Sequence, residues 1–494
     1  MKAAAPVPLV AIRLGLVVMF IAATVTAPLY FQNQNTKFLH GLATAFPERL
    51  GADWTAATRD GLPVFSALVH AVASASSPLV FYLIEAALLA IMCLSLLEIA
   101  RLSAPRHRDS PVFLLIAASV LVALVHPPQE TSLRGVAQQY MMHGYLQPSE
   151  FGILYLPALL LAVARRPVAL VVMAVPAAIH PAYILISAIG IAAILWDRRR
   201  AGAQLPLLFL ALALALLVLP PVDLALRFAP TDPESFARAN DILAFERIPH
   251  HSDPRLWADF DALRKLGIAL AALAVAPNRL TRVLLFALLA VALGGAGYVA
   301  LTGNAEIALM APWRASIVIV PVADAILLGW VLERILDRVR DRRLVAGLAA
   351  LAFGWAGLAA AGGMAIKWRD FAGAQFPDHI RFAHENYSPG DIYLTSPDMA
   401  DFRLDAMVAQ FVTRKTHPYL DTEVIEWDHR LRLAERVFPS DGPLQCGALD
   451  EVLALYEISH VLVAKDKLPQ PPCARLAPLF EGESHSVLAI RPPG

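Results

Sequence analysis

The sequence predicts a mainly α, polytopic helical membrane protein of about 11 transmembrane spans, ending in a small α/β extracytoplasmic domain. Three observations carry that fold class. Hydrophobic residues fill 57% of 494 positions and mean hydropathy is +0.57, too apolar for an ordinary soluble chain. Thirteen arginines sit in five short clusters that fall after every second long apolar run: Arg101/Arg106/Arg108, Arg165/Arg166, Arg198/Arg199/Arg200, Arg279/Arg282 and Arg334/Arg338/Arg340. From Lys367 onward the Ala/Leu-rich runs give way to the composition of a soluble domain.

A bilayer core takes about 20 apolar residues per helix. The candidate spans are 8–30, 79–100, 111–126, 150–164, 167–179, 182–197, 203–227, 265–277, 281–301, 313–333 and 344–363. Cytoplasmic loops concentrate Lys and Arg, so the arginine clusters mark the inner side. An N-terminus inside then puts the C-terminus outside. Lys2 and Arg13 ahead of an apolar run resemble a signal peptide, but residues 14–30 exceed a usual signal core and predict an uncleaved first span. The pair 167–179 and 182–197 reads as a hairpin with His180-Pro181 at its tip, since proline bars the preceding residue from easy helix geometry.

Residues 1–366 thus form the multi-span domain, with outer-face loops 31–78, 127–149 and 228–264. Residues 367–494 form the soluble one. There, 391–395, 460–464 and 486–490 read as strands, and 421–437 and 447–457 as helices, which together suggest a small α/β sandwich. The net charge of zero hides a split. The last domain carries 13 basic and 19 acidic residues (net −6), and the preceding chain 28 and 22 (net +6). Neither value suggests nucleic-acid binding, and no basic run tracks aromatic residues. Cys93 lies in an apolar run and reads as inert packing. Cys446 and Cys473 share the outer domain, where a disulfide is the favoured reading and two free thiols the other.

The outer face carries the unusual polar residues: Asp53, Asp60, His143, His180, His250, His251 and Arg314. Asp53 reads equally as a base or metal ligand at a membrane surface and as the N-cap of a helix beginning at Trp54. Arg247, His250 and His251, with Asp253, form the densest cluster, suited to phosphate or a divalent metal, although a third fixed metal ligand is missing. Arg314 follows Pro312-Trp313 at an outward helix end, where a guanidinium either snorkels to headgroups or grips a lipid-linked phosphate. His180 at the hairpin tip faces a cavity or is a hydrogen-bonded structural histidine. His143, with Gln138, Gln139 and Glu150, lines the outer rim. Within 79–100, Glu98 is expected to pair with cytoplasmic arginines, and Glu85 is unexplained. P-loop, nucleophile-elbow and HExxH hydrolase patterns are absent from the sequence.

With these residues laid out, the chain resembles the GT-C superfamily of polytopic glycosyltransferases, and more narrowly a bacterial branch with a C-terminal extracytoplasmic domain. The matching pieces are Asn33-Gln34-Asn35 with Ala52-Asp53-Trp54, Arg247-Ile248-Pro249-His250-His251, Pro312-Trp313-Arg314, and Asp401-Phe402-Arg403-Leu404 followed by Glu423-Val424-Ile425-Glu426-Trp427. The resemblance implies sugar transfer from a polyprenyl-phosphate donor to an envelope or lipid-linked acceptor at the outer face of a bacterial inner membrane. It implies Asp53 as catalytic base. Arg247, His250, His251, Arg314, His180 and His143 would bind substrate, with a divalent metal as the candidate cofactor. Many relatives of this kind show two adjacent first-loop acids, whereas Asp53 stands between Ala52 and Trp54. The alternatives are a non-catalytic component of polysaccharide assembly or export, and a transporter. Polar residues at outer helix ends and the lack of an internal repeat count against the transporter.

Overall fold

The computed structural model describes residues 7–492 apart from Val25, Ser76, 128–131, His143, Arg340 and 374–375. His143, expected on the outer rim, therefore lies outside the described residues. The fold is mainly helical with one small sheet near the C-terminus. Among the described residues, six helices are long and apolar enough to cross a membrane: Leu79–Leu102, Pro181–Arg200, Leu207–Arg227, Arg279–Thr302, Ala305–Arg338 and Arg343–Ala372. The other expected runs fall on shorter helices: Val7–Ala23, Pro111–Leu124, Pro148–Val163, Ala169–Ile179 and Phe260–Val275. Local chemistry shortens them. His180 leaves the helix with φ −136° and ψ 112° ahead of Pro181. Residues Pro148–Leu154 wind as a 3₁₀ turn behind Pro148, so the α-helical part begins only at Tyr155.

The chain divides into two compact units. The first takes in Met1–Ala27, Phe81–Asp223 and Ile248–Phe371. Its helices approach closely where side chains vanish. A Cβ added at Gly329 would overlap the Ala100 carbonyl, and one at Gly363 would overlap that of Ala22. Small residues serve this purpose wherever apolar helices must pack without a solvent-driven hydrophobic effect. The arginine clusters gather in two groups. Arg106 pairs with Glu333 (2.8 Å) and Asp337 (2.5 Å), joining the first cluster to the last. Arg198 donates to the Arg165 carbonyl (3.0 Å), and the Arg279 guanidinium lies 4.1 Å from the Trp196 ring centre, joining the middle three. Glu98 takes Arg101 at 2.6 Å and Arg13 at 3.1 Å, the pairing expected of it. Glu85 also has an explanation. It is buried in helix Leu79–Leu102 within electrostatic reach of Lys367, whose Nζ donates to the Ile21 carbonyl (2.5 Å).

The second unit combines Pro28–Val80, Leu224–Arg247 and Ala372–Gly494. The first loop and the 224–247 segment thus belong to one compact unit with the C-terminal residues. Loop 127–149 belongs to the first unit. The sheet runs β2-β1-β3-β5-β4, with β1 Ile392–Leu394, β2 Ala409–Gln410, β3 His460–Ala464, β4 Leu476–Glu481 and β5 His485–Ile490. β1 is parallel to β2 and β3, whereas β5 runs antiparallel to β3 and β4. Helix Asp421–Val437 packs against Pro233–Asp241 and Cys446–Leu455. Tyr393, Phe402, Val408, Leu462 and Val487 meet in a core beside the sheet. In the first loop, helix Leu39–Ala45 lies on Pro63–Ala75, with Gly41 against Val69.

Cys446 and Cys473 are bridged across a separation of 27 residues, their Cα atoms 5.4 Å apart. Loop-closure entropy for a crosslink of that span contributes about 3.5 kcal/mol. Cys446→Ser is therefore expected to lower amide protection in β3 and β5, measured by hydrogen exchange on the full chain. Unchanged protection would show that the bridge adds nothing to the sheet.

Candidate functional site

Asp53 is 1% exposed and its carboxylate is fully employed. Oδ1 accepts the Ala56 amide (3.0 Å) and so caps helix Trp54–Ala57. Oδ2 accepts Arg403 Nε (2.6 Å) and the Gln410 amide (2.9 Å), which joins β2 to the first loop. Arg403, itself 1% exposed, also reaches the Gln410 carbonyl (3.2 Å). A general base needs a lone pair within reach of an acceptor proton. Here both oxygens point at donors inside the fold, so proton abstraction would require opening the ion pair. The N-cap alternative holds at this position, with a buried salt bridge added.

Around that pair the second unit gathers a polar cluster from all three of its segments. Asn35 Nδ2 donates to Asp401 Oδ1 (2.6 Å), and Thr36 Oγ1 to the Lys415 carbonyl (3.1 Å). Lys37 Nζ donates to Tyr419 Oη (2.6 Å). From the middle segment, Arg247 Nη2 donates to the Lys415 carbonyl at 2.6 Å. His417 packs its ring 5.0 Å from Tyr419 and 6.0 Å from Trp427, and burial holds it far below the usual imidazole range. Burial, then Arg247 and Lys37, bring the Lys415 ammonium down to about 8. Asp405, one turn beyond Asp401, is pushed up to about 7 by burial and by Asp401. Tyr30, Gln32 and Met407, with φ of 68°, 50° and 51°, adopt left-handed backbone at the edges of this cluster. Such conformations cost about 1–3 kcal/mol at non-glycine residues and collect at functional sites.

The first unit holds the other expected residues. The Tyr183 hydroxyl donates to the Ser149 carbonyl (2.6 Å), and the charges of Arg314 and Glu150 both reach it. His180 lies 5.4 Å from the Tyr183 ring. Its Nδ1 accepts the Ala182 amide (3.2 Å), which leaves the proton of the neutral ring on Nε2. Trp313 Nε1 donates to the His251 carbonyl (2.8 Å), and His251 Nδ1 sits 2.6 Å from the Ala137 carbonyl. His250 is exposed, its ring 4.1 Å from that of His251. Ala137, Gln138 and Ala311, at φ 56°, 54° and 45°, flank these groups in left-handed backbone. His180 and Arg314 thus share Tyr183, and His251 reaches Trp313 beside Arg314. Arg247 and Asp53 belong to the second unit. Among the described residues, no three His, Cys, Asp or Glu side chains gather as a metal site, so a divalent ion has no ligand set here.

Sequence reasoning passed over Tyr183 and Asp405 and gave Lys37 no role. The acid pair Asp401 and Asp405, spaced four apart on one helix face, was the legible signal among them. A domain of unknown function, DUF6798, matches residues 374–434, which include Asp401, Arg403, Asp405, Lys415, His417 and Trp427. No curated protein matches the chain.

Removing one member of the Asp53–Arg403 pair strands a buried charge, a loss of about 3–5 kcal/mol. Asp53→Asn should therefore destabilise the second unit, and Arg403→Met added to it should recover part of the loss, read by denaturant unfolding. A double variant as unstable as the sum of the singles would disprove the coupling.

The raised carboxyl of Asp405 has a different consequence. Between the ordinary value of 3.8 and about 7, the folded chain keeps a proton that the unfolded chain has lost. Stability therefore drains as pH rises across that window. Asp405→Asn should gain on wild type from about pH 4 upward and level off above about pH 7. A pH-independent difference between the two melting curves would refute the shift.

Proposed function

We propose that this chain is a multi-pass membrane protein of the bacterial inner membrane that transfers a sugar from a polyprenyl-phosphate donor at the extracytoplasmic face. The observation that carries the reading is Tyr183, its ring 5.4 Å from His180 and within electrostatic reach of Arg314 and Glu150, at the ends of apolar helices. Membrane insertion is supported by side chains this chain leaves uncovered, among them Leu208, Leu212 and Leu219 on one long helix and Leu351, Trp355 and Leu358 on another. The grouping of the arginine clusters supports the topology of about 11 spans, with the N-terminus inside and the disulfide-bearing C-terminal residues outside.

In this reading Arg314 and the Nε2 proton of His180 hold the donor phosphate. The acceptor oxygen attacks the anomeric carbon as the carbon–oxygen bond to phosphate breaks. The phosphate leaves with that electron pair, its charge met by Arg314, and the acceptor hydroxyl proton passes to Glu150. Preorganised charge of this kind is commonly the largest catalytic contribution. Asp53 is relieved of the base role that the resemblance implies and holds the frame of the second unit instead. His250 and His251 border the same region, and Arg247 belongs to a separate cluster. A non-catalytic component of envelope assembly is the second reading, favoured by the engagement of Asp53 with Arg403.

Reconstituted protein and a panel of polyprenyl-phosphate sugars test the proposal. Arg314→Ala is expected to reduce transfer about 10²- to 10³-fold, and Glu150→Gln to cut kcat more than KM. Full transfer by Arg314→Ala would end the phosphate assignment. Absence of turnover by folded wild type across the panel would favour the non-catalytic reading.

A further inference from the structure

The second unit contains a cationic cluster that the proposed transfer does not use. Lys37, Arg247 and Lys415 arrive from three separate stretches of chain, yet Arg247 and Thr36 bind the same Lys415 carbonyl. Lys37 is tied into the group through Tyr419, which packs on His417. The acid of this neighbourhood is Asp401, already hydrogen-bonded to Asn35, and Asp405 lies behind it. The cations therefore outnumber the anions facing them, and Arg247 Nε is buried with no acceptor among the described residues. Like charges held together disfavour the charged state unless an anion completes the set.

We propose that Lys37, Arg247 and Lys415 form a binding site for a single oxyanion group, a phosphate or carboxylate, separate from Arg314 and His180. The cavity beside them, lined by Thr36, Lys37, His40, Thr416, His417 and Tyr419, measures only ≈10 Å³. That is room for about one water. The ligand's body therefore stays outside and only its charged terminus meets the cations, as for a monoester or acidic saccharide end presented at the surface. Arg247 supplies a planar fork, whereas Lys37 and Lys415 supply adjustable point charges. A bound oxyanion would join the first loop, the middle segment and the C-terminal segment through shared hydrogen bonds.

Lys415 gives the site a pH dependence. It faces Arg247, Lys37 and Asp401, with Tyr419 and His417 alongside. Its ammonium loses its proton near 8, so anion affinity should fall as pH rises through that value.

The test is titration calorimetry of the full chain in phosphate-free detergent, with inorganic phosphate as the probe. Wild type should bind, Lys37→Ala and Lys415→Ala should each weaken binding about tenfold, and Lys415→Arg should restore it. Sulfate keeps one charge across the range, so it serves for the pH arm. Its affinity for wild type should drop between about pH 7 and about pH 9, and that for Lys415→Arg should hold. Melting temperatures of each variant separate lost binding from lost folding. Repeating the titration in phosphatidylglycerol nanodiscs identifies the source. Competition by the bilayer indicates a lipid headgroup, and unchanged phosphate binding indicates a soluble ligand. Equal affinity in wild type and both alanine variants, with all three folded, would overturn the proposal.

Discussion

The second unit depends on the buried ion pair of Asp53 and Arg403, whose side chains are 0% and 1% exposed. Isolated burial of either charge would be prohibitive, and the pair is tolerable because both Asp53 oxygens and the Arg403 Nε and Nη2 atoms find partners, Nη1 alone being buried with none among the described residues. Asp53 accepts two backbone amides besides the guanidinium, and Arg403 reaches the Gln410 carbonyl. A helix cap in the first loop, the short helix Phe402–Ala406 and strand β2 are therefore fixed by a single carboxylate. Around this anchor the peripheral contacts fall into register. Arg59 gives its amide to Glu423 (3.1 Å), Thr231 binds Asp421 (2.8 Å), and Arg227 donates to the Asp60 carbonyl (2.8 Å). Such exposed or half-exposed contacts are individually weak. They gain their geometry from a core that is already specified.

The first unit meets the same constraint with less polar material. Charges placed among apolar helices must be answered within the protein, since apolar side chains offer them no partner. Lys265, 5% exposed in helix Phe260–Val275, donates to the Gly135 carbonyl (2.9 Å) and pairs with Asp261 (2.5 Å). Glu85 and Lys367 answer one another across two helices. Ser316 binds the Val136 amide (2.9 Å), so loop 127–149 is held by the same helix that begins beyond Arg314. Val136 in this loop is positioned by that helix end. That explains how strained backbone at Ala137 and Gln138 persists beside His251.

Legibility in the sequence followed the range of the interaction. Apolar runs and arginine clusters are local signals, and each expected run lies on a helix. The strands at 391–395, 460–464 and 486–490 and the helix at 421–437 also emerged close to their observed bounds, because β-branched runs and helix starts are written in neighbouring residues. The helical cap at Asp53 was legible for the same reason. Its partner lies 350 positions away, and no periodicity encodes such a pairing. β2, two residues long, and β4, which carries a bulge between Pro478 and Phe480, gave no comparable pattern. The composite second unit was hidden because a linear reading treats the first loop as an appendage of the helices that flank it.

Left-handed backbone is found both beside the buried ion pair and beside the cationic clusters. Asp53 and Arg403 bond one another, and Met407, whose amide caps the Arg403 carbonyl, is left-handed at φ 51°. Left-handed, non-glycine backbone also marks Tyr30 and Gln32 near the Lys37–Lys415 cluster, Ala137, Gln138 and Ala311 near His251 and Arg314, and Arg165 within an arginine cluster. Folds keep such conformations only where surrounding contacts over-determine them. A charge that must face outward against its own solvation and beside other cations has to be held in place by the chain. By that criterion, the resemblance directs attention to the acid in the first loop, whereas the physical arrangement directs it to the cations around it.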